Sequence, residues 1–412
     1  MGKDKDISVL RDLAKQVAEI ADKEIQDERR DLWRRHNSLQ RTRPPIYVRW
    51  FACWQEVLPD EKLECEDPFF RQYERTLRFA VYQDRIGDDY VIEPWLTVQA
   101  VYATPAGPSR WGPEIRFIPS TEKRGAWKFD PAIKTEADLD KMVTPRHAID
   151  EAATARSLAK LTDAIGDILQ VTLSRAPNLR VWRADISTDL VQLRGLEQFM
   201  LDMMDRPEWL HRLLAFMRDG ILRVHEQAEA AGDLRLCDHE NQAMPYALEL
   251  PGPAANGSPV KRNQLWTFMA SQETTLVSPR MFEEFMLQYQ IPIMAKFGLV
   301  AYGCCENLTH KIDCLRKVPN LRRIAVTPWA DVRACAEQIG RDYVFSWRPS
   351  PAEAICMGFE PDRVRRIIRE GMEAAKGCHV DVTLKDVETV RGRFEDLVEW
   401  TRIVRDVAAD YA

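Results

Sequence analysis

Apolar positions recur at spacings of three and four through residues 7–41 with charges between them, a pattern that predicts amphipathic helices lying against a larger body. The period changes after Arg43-Pro44-Pro45, where IYVRWFACW brings branched and aromatic residues together and predicts a strand over 46–53. A second strand is expected over 89–95. From about residue 165, short apolar runs alternate with amphipathic stretches, and strands are expected at 168–174, 181–187, 235–241, 299–305, 322–327, 343–347 and 379–385. The intervening helices carry clear signals. Over 207–228, Leu210, Leu213, Leu214, Met217, Ile221, Val224 and Ala228 share one face, leaving Arg212, Arg218 and Glu226 to solvent. Asp331 is placed to cap a helix over 332–339 that Gly340 stops, and a last helix buries Phe394, Leu397, Val398, Thr401, Val404 and Val407.

Strands alternating with helices build a parallel sheet, and their number predicts an α/β fold of the (β/α)8 TIM-barrel type. Residues 1–42 form a helical cap in this reading, and 102–131, with several Pro and Gly, a small β-rich insertion. No internal repeat, low-complexity tract or linker divides the chain, so one barrel domain spanning 1–412 is expected.

Charge narrows the partners. Fifty-eight Lys and Arg against 64 Asp and Glu leave a net charge of −6 with the signs interspersed, which is no basic stripe for nucleic acid. There is no run of about 18 apolar residues to span a bilayer, and the amino terminus is charged where a secretory signal would be apolar. Nine cysteines, an odd number without a CxxC pair, read as reduced thiols of a cytoplasmic protein. The motifs GxGxxG after a strand, GxxxxGK[ST], GxSxG and HExxH are absent, which disfavours nucleotide-dependent and serine-hydrolase chemistry.

In a parallel barrel the reactive groups stand just past the carboxyl ends of the strands. Three ends collect polar residues: Asp238, His239, Glu240 and Asn241; Cys304, Cys305, Glu306 and Asn307; and Lys385 with Asp386. Thiolate, imidazole and carboxylate hold zinc in sites with one open position, so His239, Cys304, Cys305 and Glu306 are the candidate metal ligands. Adjacent strand residues point to opposite faces, so both thiols reach one ion only where the strand has ended. Against this stands the plainer reading of cysteines filling the rim and a hydrogen-bonded core histidine, about equal in weight. Glu306, Asp386 and Lys385 are the candidate acid and base groups. Trp50, Trp182 and Trp347 are candidates to stack on a substrate ring or hold a cation, each set against a core role. Arg49, Arg183, Arg348 and Lys385 are candidates to pair with a substrate carboxylate, set against pairing with Asp185, Glu93 or Asp386.

The segments LRGLEQFMLDMMDRPEWLHRLLAFM (193–217) and SPRMFEEFMLQYQIPIMAKFG (278–298), the latter before the Cys-containing strand, resemble the uroporphyrinogen decarboxylase superfamily over about 165–412. The resemblance implies a barrel fold, often paired as a homodimer. Decarboxylases of that superfamily carry R-Q-A-G-R after the first strand, where this chain has Arg49-Trp-Phe-Ala-Cys53. The other branch comprises zinc-dependent methyltransferases working with corrinoid proteins, whose zinc is held by His-x-Cys and a distant Cys. This chain has Tyr302-x-Cys304 at the first place and Lys385-Asp386 at the second, so Cys304 alone carries over as a ligand. The YGCCE variant resembles a decarboxylase-like subgroup for which demethylation of methoxylated compounds is the expected role.

The resemblance therefore implies a demethylase-type methyltransferase, zinc-assisted, that moves a methyl group from a small methoxylated or methylated substrate to a corrinoid protein. A methoxylated aromatic suits the tryptophans. Two rival readings stand beside it: a decarboxylase of a small carboxylic acid using Arg49 and Lys385 without metal, and a non-catalytic barrel that only binds.

Overall fold

The structure is a computed structural model that describes residues 2–103, 107–122, 125, 128–255 and 257–411. Ten strands are described: β1 (Ile46–Val48), β2 (Trp95–Gln99), β3 (Arg116–Ile118), β4 (Lys128–Asp130), β5 (Gln170–Ser174), β6 (Trp266–Met269), β7 (Leu299–Tyr302), β8 (Leu321–Val326), β9 (Val344–Trp347) and β10 (His379–Leu384). Six of them form a curled parallel sheet in the order β1-β10-β9-β8-β7-β6. The first strand thus pairs with the last, Ile46 opposite Val382 and Val48 opposite Leu384. β2 and β5 make a separate parallel pair, Trp95 opposite Gln170. The architecture is α/β with an open six-stranded sheet; among the described residues no ladder joins it to the β2–β5 pair, so the hydrogen bonding does not close an eight-stranded barrel.

Four of the expected strands differ. Residues 235–241 hold a 3-10 turn, Leu236–Asp238, because the Asp238 carboxylate accepts from the Arg235 amide at 2.8 Å and bends the chain back. Residues 181–187 hold another, Val181–Arg183, after which the helix Ser187–Arg194 starts with the Asp185 carboxylate accepting from the Thr188 amide at 3.0 Å. Over 89–95 the chain is held off the sheet: the carboxylates of Asp88 and Asp89 accept from the amides of Val48 and Ile46, both at 2.8 Å. Pro94 lacks a donor, and the ladder begins only after it. The run 46–53 is strand only to Val48 and turns at Phe51–Cys53. β6 was hidden from a period-two pattern because all four of its residues are buried.

The helical signals match the structure more closely. Gly2–Ala21 lays Leu10, Leu13, Ala14 and Val17 against Leu77, Leu161 and Val98, covering the β2–β5 pair together with the helices Pro68–Ile86 and Glu151–Ile165. Pro207–Ala230 buries all seven of its expected apolar positions. The Asp331 carboxylate accepts from Ala334 N at 2.9 Å, and Gly340, at φ +52°, ends Val332–Ile339. In the last helix, Glu395–Ala408, Leu397, Thr401, Val404 and Val407 are buried as expected. Within 102–131, β3 and β4 pair antiparallel; residues 104–106, 123–124 and 126–127 of that stretch lie outside the described residues. No helix among the described residues is long and apolar enough to cross a membrane.

Alternation sorts the sheet into two faces. Ile324, Val326, Phe345, Trp347, Val380, Val382 and Leu384 enter the main core beneath the outer helices. Arg323, Ser346 and Asp381 take the other face and bond one another: the Arg323 guanidinium reaches Asp381 at 2.8 Å and Ser346 Oγ at 3.1 Å. The helix Glu24–Asn37 closes this network, Asn37 Oδ1 accepting from Arg323 at 2.8 Å and His36 Nε2 lying 3.3 Å from Asp381.

Packing on the outer face is tight where the helix Pro361–Ala374 crosses β9. A Cβ placed on Gly371 would stand 2.1 Å from the Trp347 ring. Replacing Gly371 by Ala gains about 1 kcal/mol of helix propensity, but overpacking a rigid indole costs roughly 1–3 kcal/mol. The variant is expected to unfold at lower urea concentration than the wild type; an unchanged or higher midpoint would show that the two elements separate freely.

Candidate active site

β7 ends because Gly303 adopts φ +101°, and a Cβ there would lie 2.9 Å from that of Ala325. The turn sets Cys304 and Cys305 beyond the strand, which lets both thiols face one point. Glu306, 2% exposed, folds back so that its carboxylate accepts from the amides of Cys304 and Ser271, each at 2.8 Å. Arg348, directly after β9, donates to the Cys304 carbonyl, and to the Gly303 carbonyl at 3.3 Å. The peptide groups on both sides of Cys304 are therefore clamped by buried charged side chains.

Lys385, directly after β10, completes the group. Its Nζ lies 3.3 Å from Cys304 Sγ, 3.1 Å from Cys305 Sγ and 2.7 Å from Asp386 Oδ2, while the two sulfurs are 3.3 Å apart. The Gln242 amide lies 3.9 Å from Cys304 Sγ. A cavity of about 470 Å³ opens above, floored by Cys304, Arg348 and Lys385 and walled by Pro328, Trp329 and Pro349. Trp329 is 76% exposed, and its carbonyl accepts from Asn307 Nδ2 at 2.7 Å.

The electrostatics polarise the pair. A hydrogen bond from Cys305 brings the Cys304 thiol down to about 6; burial opposes this, and the charges of Arg348 and Lys385 assist it. Cys305 moves up, because it donates to that thiolate and its sulfur is partly desolvated. Burial and Arg348 act to discharge Lys385, but Cys304 and Asp386 outweigh them and raise it. These directions favour the thiolate at Cys304, the thiol at Cys305 and the ammonium at Lys385. The thiols of Cys53, Cys65 and Cys237 are by contrast pushed up to about 12, chiefly by burial.

Of the residues expected from sequence, Cys304, Cys305, Glu306, Lys385 and Asp386 come together. Arg49 joins the same rim, its amide donating to the Leu384 carbonyl at 2.7 Å and its guanidinium lying 5.1 Å from the Phe51 ring. His239 does not join. Its Nδ1 accepts from the amide of Trp266, the first residue of β6, at 3.3 Å, and burial pushes it down to about 4. Since Trp266 stands opposite Leu299 in register, His239 sits at the amino end of the sheet, on the order of 13 Å along the strands from the thiols. Among the described residues no three His, Cys, Asp or Glu side chains are arranged to hold a metal ion. Both Glu306 oxygens are engaged by amides, and an ammonium stands between the thiols, so this donor set does not fit zinc.

Two of the expected ring contacts also move. Trp50 is fully buried, its Nε1 donating to Gln83 at 2.8 Å and its ring stacked on Phe79 at 4.9 Å. Trp347 is 4% exposed against Gly371. Trp182 keeps an inward place, edge-on to Phe268 at 4.9 Å, and Arg183 is spent on Asp189 at 2.8 Å. Trp329, which the sequence also places just after a strand, beside Pro328, is the indole that stands at the rim of the cavity.

No family model matches the sequence, and no curated protein sequence matches it. Among solved structures the chain resembles a methyltransferase from Methanosarcina mazei at a TM-score of 0.50 and 12% sequence identity, over 92% of this chain and 97% of that one. At that identity the likeness is one of fold.

Proposed function

We propose that this chain is a methyltransferase of demethylase type that takes a methyl group from a small methoxylated or methylated compound, a methoxylated aromatic fitting best, and passes it to a corrinoid protein. The observation that carries the reading is Lys385 Nζ held 3.3 Å from Cys304 Sγ at the floor of an open cavity. When a methyl group leaves oxygen or nitrogen, the bonding pair stays on the heteroatom, and a fixed positive charge beside that atom stabilises it. Lys385 supplies that charge, and its proton passes to the leaving oxygen. A reduced corrinoid on the partner protein supplies the nucleophile that accepts the methyl group. The indole of Trp329 offers a face to an aromatic ring, and the unpartnered, buried Gln242 Oε1 and Arg348 Nε offer polar contacts to its substituents. The fold shared with a methyltransferase supports the reading. We also read β2–β5 and the six-stranded sheet as two arcs of one (β/α)8 barrel; the presence of eight parallel strands and the return of β10 to β1 support this.

Arg49, whose amide binds the Leu384 carbonyl next to Lys385, favours a second reading, a decarboxylase that holds a small carboxylic acid between two cations. One assay separates them. Under reducing, oxygen-free conditions, methoxybenzoates and methylated amines are mixed with the protein and cob(I)alamin, and methylcobalamin is followed by its absorbance. Methylcobalamin with the matching phenol or amine is expected. Carbon dioxide release without methylcobalamin would replace the first reading by the second.

A further inference from the structure

The two adjacent thiols are set up for a reaction that methyl transfer does not use. Their sulfurs lie 3.3 Å apart, one inward and one exposed, and share a single ammonium. Other cysteines are spent as isolated donors: Cys53 to the Trp50 carbonyl, Cys65 to that of Asp6, Cys335 to Thr309 Oγ1 and Cys378 to the Ala336 carbonyl. A thiolate with a cation at its side and a second thiol within reach is the arrangement of a peroxide-reactive cysteine with its resolving partner.

We propose that Cys304 and Cys305 form a hydroperoxide-sensitive dithiol that closes to a disulfide between adjacent residues. Cys304 Sγ attacks one peroxide oxygen; the O–O bond breaks, sulfur is oxidised to sulfenic acid, and the leaving hydroxide takes a proton from Lys385. Cys305 Sγ then attacks the sulfenic sulfur; an S–S bond forms, the S–O bond breaks, and the departing hydroxide leaves as water with the Cys305 proton. The peroxide is thereby reduced to water at the expense of two thiols. The disulfide carries no charge, so Lys385 is left with Asp386 alone. Resting on the proposed methyl transfer, this closure is an off-switch for it, reversed by thiol reductants.

The chain supplies a clean reporter. Trypsin releases residues 297–311, FGLVAYGCCENLTHK, in which Cys304 and Cys305 are the only cysteines. The native full-length protein is treated with a small excess of hydrogen peroxide, unfolded, alkylated and digested. This peptide is expected unalkylated and two hydrogens lighter, with the other cysteines alkylated, and dithiothreitol is expected to restore it. Cys305→Ser should stop at a Cys304 sulfenic acid captured by dimedone, and Lys385→Met should slow oxidation about ten-fold. Alkylation of both positions after peroxide, or oxidation spread evenly over all nine cysteines, overturns the proposal, and the wild-type digest decides this even if a variant fails to fold. Because the digest does not read methyl transfer, its failure and that of the proposed function are told apart.

Discussion

Lys385→Met is expected to lower the rate of methyl transfer by about 10²–10³-fold, the loss that follows removal of one preorganised charge from a developing anion. The variant also removes the cation 3.3 Å from Cys304 Sγ, so the thiol must ionise above its present value of about 6. The sign is set by the thiolate being the reactive form. In the wild type the rate of Cys304 alkylation by iodoacetamide should rise through about pH 6 and level off at neutrality; in Lys385→Met the rise should move to higher pH. Lys385→Arg keeps the charge but spreads it over a planar fork, and should recover part of both effects. Methyl transfer that survives in Lys385→Met would show the ammonium to be a counter-ion for the thiols alone.

How far the site could be read from sequence follows from strand parity. Tyr47, Arg49, Ser346 and Arg348 occupy one parity of β1 and β9 and their extensions; Trp50 and Trp347 occupy the other, which enters the core. Side chains reverse face at each step, so naming a residue one position away exchanges a rim group for a core group. Sequence shows that an indole lies near a strand end, but its face depends on where the strand starts. Cys304, Cys305 and Lys385 escaped this ambiguity because each lies past the end of its strand, Lys385 directly after β10 and the two cysteines after Gly303, which ends β7. His239 did not, since its expected position assumed that 235–241 was a strand, and the carboxylate of Asp238 makes a turn there instead. The fold divided in the same manner. Helices announced themselves through caps and three-four spacing, and strands beneath them through apolar runs. Closure of the sheet depends on hydrogen bonds between distant segments, and no local pattern carries those.

The interior pair of Arg323 and Asp381 gives the largest expected effect on stability. Both side chains are almost fully buried, 2.8 Å apart, with Ser346, Asn37 and His36 satisfying the remaining valences. Removing one member leaves the other charged and without compensation, so Asp381→Ala is expected to cost about 3–5 kcal/mol in chemical unfolding. Replacing both, as Arg323→Met with Asp381→Leu, should recover most of that loss, because the desolvation of two ions disappears with their attraction. The acid response has two parts. Burial works to raise Asp381, but Arg323 and His36 hold it below the usual range, so its contribution is complete above the ordinary Asp value and lost only as pH falls through the lowered one. Burial lowers His36, so the fold prefers it neutral; that contribution is complete above 6.5 and drains as pH falls from 6.5 toward the lowered value. The His36 contribution should therefore begin to fall below about pH 6.5, while Asp88 and Glu240, which burial raises to about 7, work in the opposite direction as pH falls. His36→Asn removes that contribution and should make the unfolding free energy less sensitive to pH just below 6.5 than in the wild type, with His225 and His239 still contributing theirs; an unchanged profile would place the sensitivity elsewhere.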